Sequence, residues 1–322
     1  MNSLFRAAAL LPALAAAPQV FATCGSAFCT VNTSWDTHGA WAEPGLRLDL
    51  RYERINQDQP RAGRSKIAVG EIAREHDEVS TQNRNWLASL DYTFNADWGL
   101  NAALPVVGRD HLHVENDFDN GTHATESWKF TSVGDLRVLG RYRLASFEGK
   151  EPSLHTAGLN FGLKLPTGRF NVRNAEGVLA ERTLQPGSGT TDALLGAYFA
   201  QLLPMKDLSW FMQGLAQLPL DARDEYRPGR RLSLDAGLRY EASERVGLLL
   251  QLNALYRGRD SGVNAEPGDS GGRSWFLSPG VSLQMIKNTR VYGLLQLPLH
   301  QYVNGVQLTA NRAVVVGLSA RF

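Results

Sequence analysis

Hydrophobic and polar residues alternate along most of this chain. The run Leu46–Glu53 alternates at every step, and the same period of two recurs at 86–94, 136–144 and 232–241. Successive residues of a β-strand point to opposite faces, whereas an amphipathic helix repeats its apolar positions about every 3.6 residues. The pattern therefore predicts strands that each have one apolar and one polar face.

About twelve strands fit this pattern, each near the roughly 9–11 residues that a tilted membrane strand needs. Their predicted spans are 45–56, 83–95, 98–109, 131–145, 154–166, 189–203, 208–219, 231–242, 246–257, 274–286, 290–299 and 309–322. Tight turns alternate with long polar connections, which are predicted at 57–82, 110–130, 167–188, 220–230, 258–273 and 300–308. This alternation is typical of outer-membrane barrels. We therefore expect residues 45–322 to form an all-β fold, an antiparallel transmembrane β-barrel of about 12 strands with short periplasmic turns and long extracellular loops.

The last strand favours a membrane barrel only in the context of the whole chain. Val314, Val316, Leu318 and Phe322 share one face of the run 311–322. The edge strand of a soluble sheet would alternate in the same way. The repeated short and long connections favour the barrel, and with it a bacterial outer-membrane location in which lipid and lipopolysaccharide contact the apolar face.

The first residues have the features of an export signal. Residues 1–22 combine the basic Arg6, an apolar Ala/Leu run and a small residue at the predicted cleavage site, Ala22. A membrane-spanning helix is the alternative, but the run is short and is interrupted by proline. We expect residues 1–22 to be a signal peptide.

The chain has 2 cysteines, Cys24 and Cys29, both in the segment 23–44 ahead of the predicted barrel. In an exported protein such a pair is expected to form a disulfide. A metal site is the alternative, with Asp36 and His38 nearby, although two thiolates alone do not complete a tetrahedral ligand set. The segment is either a loose tail or a small periplasmic plug that the disulfide and two tryptophans help to order.

The polar face of the strands is predicted to line the lumen. The candidate lumen and solute-pathway residues are Arg47, Asp49, Arg51, Arg137, Arg141, Arg143, Lys164, Asp235 and Arg239. These charges either fill a narrow barrel as a salt-bridge network or line a polar pathway, and the two interpretations are compatible. If the charges line a polar pathway, the ladder Arg137–Arg141–Arg143 favours the passage of anions.

Charge and composition limit the partners and the chemistry. With 33 Lys and Arg against 32 Asp and Glu, a nucleic-acid partner is not expected. The run His111–Asp119, with His123, has residue types that bind divalent cations, but a solvated loop is the plainer interpretation. We assign no metal site and no cofactor. Ser153 beside His155 is the nearest approach to a catalytic pair, and we expect no enzyme.

Two short motifs flank the long middle connection. The string KLPTG ends one predicted strand at 164–168, and PGSGTTD at 186–192 leads into the next. Together they resemble the family of outer-membrane proteins of the MetA pathway of phenol degradation. That resemblance implies an outer-membrane transporter for aromatic or hydrophobic solutes. Similarity to outer-membrane barrels also implies that Phe322 is a signal for the barrel assembly machinery.

The sequence thus predicts an outer-membrane channel or transporter for a small solute. The solute is polar or anionic by the lumen charges, or aromatic by the family resemblance, and it passes through a narrow charged lumen. The alternative is a structural or lipid-modifying outer-membrane barrel without a conducting pore.

Overall fold

The computed structural model describes residues 44–146, 155–203 and 207–322. The predictions for the signal peptide at 1–22 and for the Cys24–Cys29 pair therefore lie outside the described residues. The described part of the chain has no helix with the length and apolar character needed to cross a membrane.

Strands make up almost all of the described chain. They are β1 (Gly45–Ala62), β2 (Ser65–Lys66), β3 (His76–Thr93), β4 (Trp98–Asp117), β5 (Thr122–Val133), β6 (Leu136–Ser146), β7 (His155–Leu165), β8 (Asp192–Leu202), β9 (Leu208–Pro219), β10 (Arg231–Glu241), β11 (Val246–Arg257), β12 (Gly272–Ile286), β13 (Thr289–Val303) and β14 (Val306–Arg321). Without β2 and β5, twelve strands form a closed antiparallel barrel, which confirms the predicted fold class.

The barrel closes between its first and last strands. β1 and β14 pair antiparallel from Arg47 with Arg321 up to Ala62 with Val306, with a bulge at Gln57. Closure leaves no open sheet edge, so the backbone donors and acceptors of the wall are satisfied without water. This is the condition a sheet must meet to cross a bilayer.

The apolar face of the strands points outward. In β11, Leu248, Leu250 and Leu252 are exposed while Gln251 and Asn253 are buried inside. The same inversion recurs on the other wall strands, and it is the reverse of a soluble protein's burial pattern. A closed barrel with an apolar outer surface is covered by lipid. The protein is therefore an outer-membrane barrel.

Several predicted boundaries are wrong at the end of the barrel that bears the long connections. Much of the predicted loops 57–82 and 110–130 is strand, because β1, β3, β4 and β5 continue past the apolar band. The extension of β1 beyond Asn56 is polar on both faces, and the extensions of β3, β4 and β5 carry few apolar residues, so their alternation is weak. The predicted loop 300–308 is a two-residue turn at Asn304–Gly305, where Gly305 has a φ of 56°. An Asn-Gly pair favours such a hairpin turn.

The predicted strand 131–145 is broken in two at Gly134–Asp135. β5 pairs with the upper part of β4, from Val106 to Asp117, and β6 pairs with its lower part, from Trp98 to Ala103. The break frees the backbone of Gly134 and the side chain of Asp135 to contact the connection between β7 and β8.

Candidate functional site

Ion pairs line the interior where the barrel closes. Arg47 Nη2 lies 2.7 Å from Asp91 Oδ2, and Arg51 Nε lies 2.9 Å from Glu53 Oε1. Tyr292 on β13 donates its hydroxyl proton to Asp49, at 3.0 Å. The structure therefore brings the predicted lumen residues of β1 together in one buried network.

Polar contacts also line the interior around β10, next to a buried apolar cluster that includes Phe211 and Leu249. Asn253 Nδ2 donates to Asp235 Oδ1 at 2.8 Å, and Ser278 donates to Asn253 at 2.6 Å. Arg239 pairs with Glu241, whose carboxylate is also 3.7 Å from Arg290. Predicted lumen residues on β10 thus belong to an interior network opposite that of β1.

The three arginines of the predicted ladder differ from the interior carboxylates in exposure. Arg137, Arg141 and Arg143 on β6 are only half-buried, whereas Asp91 and Asp235 are about as buried as core residues. Arg141 donates to Thr93 Oγ1 at 3.3 Å, and Arg137 donates to Gln217 Oε1 at 3.5 Å. The charge that remains accessible on this part of the interior wall is therefore positive.

The connection between β7 and β8, residues 166–191, reaches across the barrel mouth, and we refer to it as the crossing loop. Its residues Ala180 and Leu184 are buried against Trp128 of β5 and Leu308 of β14. On the shorter way round the wall, β14 is separated from β7 by β1, β3, β4 and β6. A contact between a loop from β7 and β14 therefore requires the loop to cross the lumen.

An anchor fastens both ends of the crossing loop to the break between β5 and β6. Lys164 Nζ lies 3.0 Å from Asp135 Oδ2 and 3.3 Å from Asp192 Oδ1, and it also contacts Ser188. Asp135 accepts from the backbone N–H groups of Gly168 and Ser188, at 3.0 and 2.9 Å. The two motifs that flank the loop in sequence thus meet in space.

A cluster of histidines and glutamates lies where the tip of the crossing loop meets β3 and β4. His76 Nε2 is 3.4 Å from Glu181 Oε1, and His113 Nδ1 is 3.9 Å from the same oxygen. On the other side of its ring, His113 Nε2 lies 3.5 Å from Glu115 and 3.4 Å from Glu126. These atoms form two groups of three that could each hold a metal ion.

The surroundings of this cluster hold several carboxylates. Burial, followed by the neighbouring charges of Glu181 and Glu78, raises the pKa of the Glu266 carboxyl in the 258–271 connection well above its usual range. Arg74 opposes that shift and forms an ion pair with Asp269 at 2.8 Å. Carboxyl groups are therefore concentrated under the loop tip, and the raised pKa favours the neutral form of Glu266.

A basic groove lies on the outer face of the barrel, at the end of β11 and the start of β12. Its volume is ≈ 870 Å³, and Arg227, Arg230, Arg259 and Arg273 in its lining are all exposed. Arg273 also lies over the ring of Tyr302, 5.1 Å from its centre. The groove continues the outward face just above the apolar band.

Sequence reasoning identified part of this arrangement. It singled out Lys164 and the run containing His113, but it placed that run in a loop rather than on β4. It missed His76 and Glu181, which no local pattern connects to His113. It also missed the basic groove, although arginines at 227, 230, 257, 259 and 273 do cluster near the ends of two predicted connections.

No family model and no curated protein sequence matches this chain. Among solved structures, the chain is similar to the COG4313 outer membrane channel from Pseudomonas putida F1, with a TM-score of 0.65 and 13% identity over 88% of this chain and 98% of that one. Lower similarity is found to the toluene transporter TbuX of Ralstonia pickettii, with a TM-score of 0.45 and 10% identity over 89% of this chain and 91% of that one. For the toluene transporter TodX of P. putida the TM-score is 0.44, with 9% identity over 94% of this chain and 96% of that one. The first similarity shows that this chain has the fold of an outer-membrane channel.

Proposed function

We propose that this protein is an outer-membrane channel that passes a small solute through a narrow polar lumen. The observation that carries the proposal is that Arg137, Arg141 and Arg143 on the interior wall are only half-buried, whereas the interior carboxylates Asp91 and Asp235 are buried. A pore whose accessible charge is positive favours anions. The proposed solute class is therefore a small anion, such as a carboxylate.

The family resemblance supports an aromatic group on the solute. It is carried by the motifs at 164–168 and 186–192, which in this chain build the anchor of the crossing loop. We therefore include benzoate, an aromatic carboxylate, among the probes.

A barrel without a conducting pore is the second candidate. The crossing loop favours it, because Leu184 and Leu308 belong to one buried cluster at the mouth and Lys164 is held by two carboxylates at the loop's base. In this case the interior charges stabilise the barrel and have no role in transport.

Ion selectivity in planar bilayers distinguishes these candidates. The chain without residues 1–22 is refolded in detergent, and its reversal potential is measured in a KCl gradient, then with acetate and benzoate. We expect anion preference that falls in Arg141→Gln/Arg143→Gln, because two accessible interior charges are removed. The matched control Arg54→Gln/Arg84→Gln removes two exposed arginines of the outer face, which pair across β1 and β3.

Equal selectivity in both double variants would contradict the proposed role of the arginines. Absence of conductance in the wild type, and also in a variant lacking residues 23–44, would favour the closed barrel. Conductance in the deletion variant alone would indicate that the Cys24–Cys29 segment is a plug.

We further propose lipopolysaccharide and the barrel assembly machinery as partners. The basic groove supports the first, because its exposed arginines lie at the level where lipid phosphate groups begin, and guanidinium binds phosphate with two parallel hydrogen bonds. Phe322, which is exposed at the end of the closing strand, is the residue proposed for recognition by the assembly machinery.

A further inference from the structure

The histidine–glutamate cluster under the tip of the crossing loop has the spacing of a metal site. One ligand atom from each of His76, His113 and Glu181 lies within 4.8 Å of the other two. The two contacts to Glu181 Oε1 are 3.4 Å from His76 Nε2 and 3.9 Å from His113 Nδ1. Ligands of tetrahedral zinc, with bonds of about 2.0–2.2 Å, are separated by roughly 3.3–3.5 Å. A small inward movement would complete this geometry.

Glu181 is a buried carboxylate with long contacts to its neighbours. Its side chain is 5% exposed, and its Oε1 lies 3.4 Å from His76 Nε2 and 3.9 Å from His113 Nδ1, while Oε2 accepts no hydrogen bond from the described part of the chain. A buried carboxylate is costly when these contacts replace its lost hydration only in part. A bound cation would supply a stronger interaction.

His113 is oriented to present Nδ1 to that cation. Its Nε2 faces Glu115 and Glu126 at 3.5 and 3.4 Å. Carboxylates at this position favour the ring proton on Nε2, which leaves the lone pair on Nδ1. His111 Nε2 lies 3.4 Å from that Nδ1, so metal binding would replace the contact between the two histidines. Metal-bound histidines commonly have such a partner behind them. Glu115 and Glu126 would therefore position the ligand rather than bind the ion.

We propose that His76, His113 and Glu181 bind one divalent transition-metal ion, and that this ion fastens the crossing loop to the barrel wall. Two imidazoles and a carboxylate suit Zn²⁺ and its neighbours, whereas Mg²⁺ and Ca²⁺ prefer oxygen ligands alone. The three residues come from β3, β4 and the loop, so the ion would cross-link elements far apart in sequence. The site does not depend on whether the barrel conducts.

The second group of three, His113 with Glu115 and Glu126, is the competing position. Its carboxylates are 34% and 26% exposed, so water already solvates them. The inner group is favoured because Glu181 is buried. An ion in the inner group should depend most on Glu181, whereas an ion in the outer group should depend most on Glu115 and Glu126.

Zinc binding to the refolded chain tests the proposal. Untagged protein carrying Cys24→Ser/Cys29→Ser, which removes the only thiols, is stripped with a chelator and titrated with Zn²⁺ against a chromophoric competitor. We expect one ion per chain. Glu181→Gln should lower the affinity by about 100-fold or more, and Glu115→Gln by roughly 10-fold, the range seen for residues behind a ligand. His300→Asn, a histidine on the outer wall, is the matched control and should bind as the wild type does.

Protection of the crossing loop provides the second readout. Zn²⁺ should slow trypsin cleavage after Arg182 in the wild type and not in Glu181→Gln. Both proteins should still show the change in gel mobility on heating that marks a folded barrel. Absence of stoichiometric binding in the wild type would overturn the proposal. Unchanged affinity in Glu181→Gln, with binding lost in Glu115→Gln/Glu126→Gln, would place the ion in the outer group and would overturn it as well.

Discussion

Lys164 supplies the positive charge of a buried ion-pair group at the base of the crossing loop. Its ammonium group lies between the carboxylates of Asp135 and Asp192 and also donates to the carbonyl oxygen of Thr190, at 2.8 Å. All four groups are buried. A buried ion pair adds little net stability, but loss of one partner leaves an uncompensated charge. Here removal of the cation would leave two carboxylates facing each other.

Lys164→Met is expected to lower the free energy of unfolding by about 3–5 kcal/mol, because methionine keeps the length of the side chain and removes the charge. The measurement is the urea midpoint of the detergent-refolded barrel, followed by tryptophan fluorescence. Lys129→Met is the matched control. Its side chain is 76% exposed, with Asp110 at 3.6 Å, and its loss should cost less than about 1 kcal/mol. Equal midpoints for the two variants would show that the anchor is not held by charge.

The crossing loop depends on the close approach of three glycines at its base. A Cβ atom on Gly168 would lie 2.7 Å from the carbonyl carbon of Gly134 and 2.9 Å from Gly187 Cα. Both neighbours are backbone, so neither can move aside by changing rotamer. The glycines of the two flanking motifs are therefore required by the contact between the loop base and the β5–β6 break.

Gly168→Ala should loosen the base of the loop. Overpacking of this kind costs about 1–3 kcal/mol, which raises the population of an opened loop by roughly 5- to 150-fold. Trypsin cleavage after Arg182 measures that population, because Arg182 is held by the carbonyl oxygens of Phe170 and Ser188 at 3.3 and 3.2 Å.

Gly268→Ala is the control for this loop experiment. A Cβ at that position has no neighbour within 4 Å among the described residues, so the substitution should not change the cleavage rate. If Gly168→Ala were cleaved no faster than Gly268→Ala, the glycine contact would not hold the loop.

The elements differ in how far sequence could predict them. Within the apolar band, strict alternation such as that of Leu46–Glu53 is sufficient to predict a strand, because a helix repeats its apolar positions about every 3.6 residues. Above the band, β1 beyond Asn56 is polar on both faces and its sequence is indistinguishable from that of a loop. The histidine–glutamate cluster could not be predicted, because Glu181 reaches His76 only when the loop crosses the lumen.

At the scale of the molecule, the charged residues of the outer surface lie at the two ends of the barrel, above and below the apolar band. The outer face is apolar along the wall strands, and arginines appear on it above the band, in the basic groove. At the opposite end, the tight turns carry exposed charges such as Arg245 and Lys287. A barrel in an asymmetric membrane meets phosphate-rich lipopolysaccharide on one side only. The groove is placed for that side, since the long connections predict the extracellular end.

Arg230→Gln/Arg273→Gln should therefore weaken lipopolysaccharide binding to the refolded barrel. Each arginine near an anionic lipid surface is worth about 1 kcal/mol, so the double variant should lose roughly 30-fold in affinity. The readout is native mass spectrometry with lipopolysaccharide lacking O-antigen. Arg245→Gln/Lys287→Gln removes the same charge from the opposite end and should bind as the wild type does. Equal loss in the two double variants would mean that net charge, and not the groove, attracts the lipid. Loss confined to the groove variant would fix the orientation of the barrel in the membrane, because only one leaflet carries this lipid.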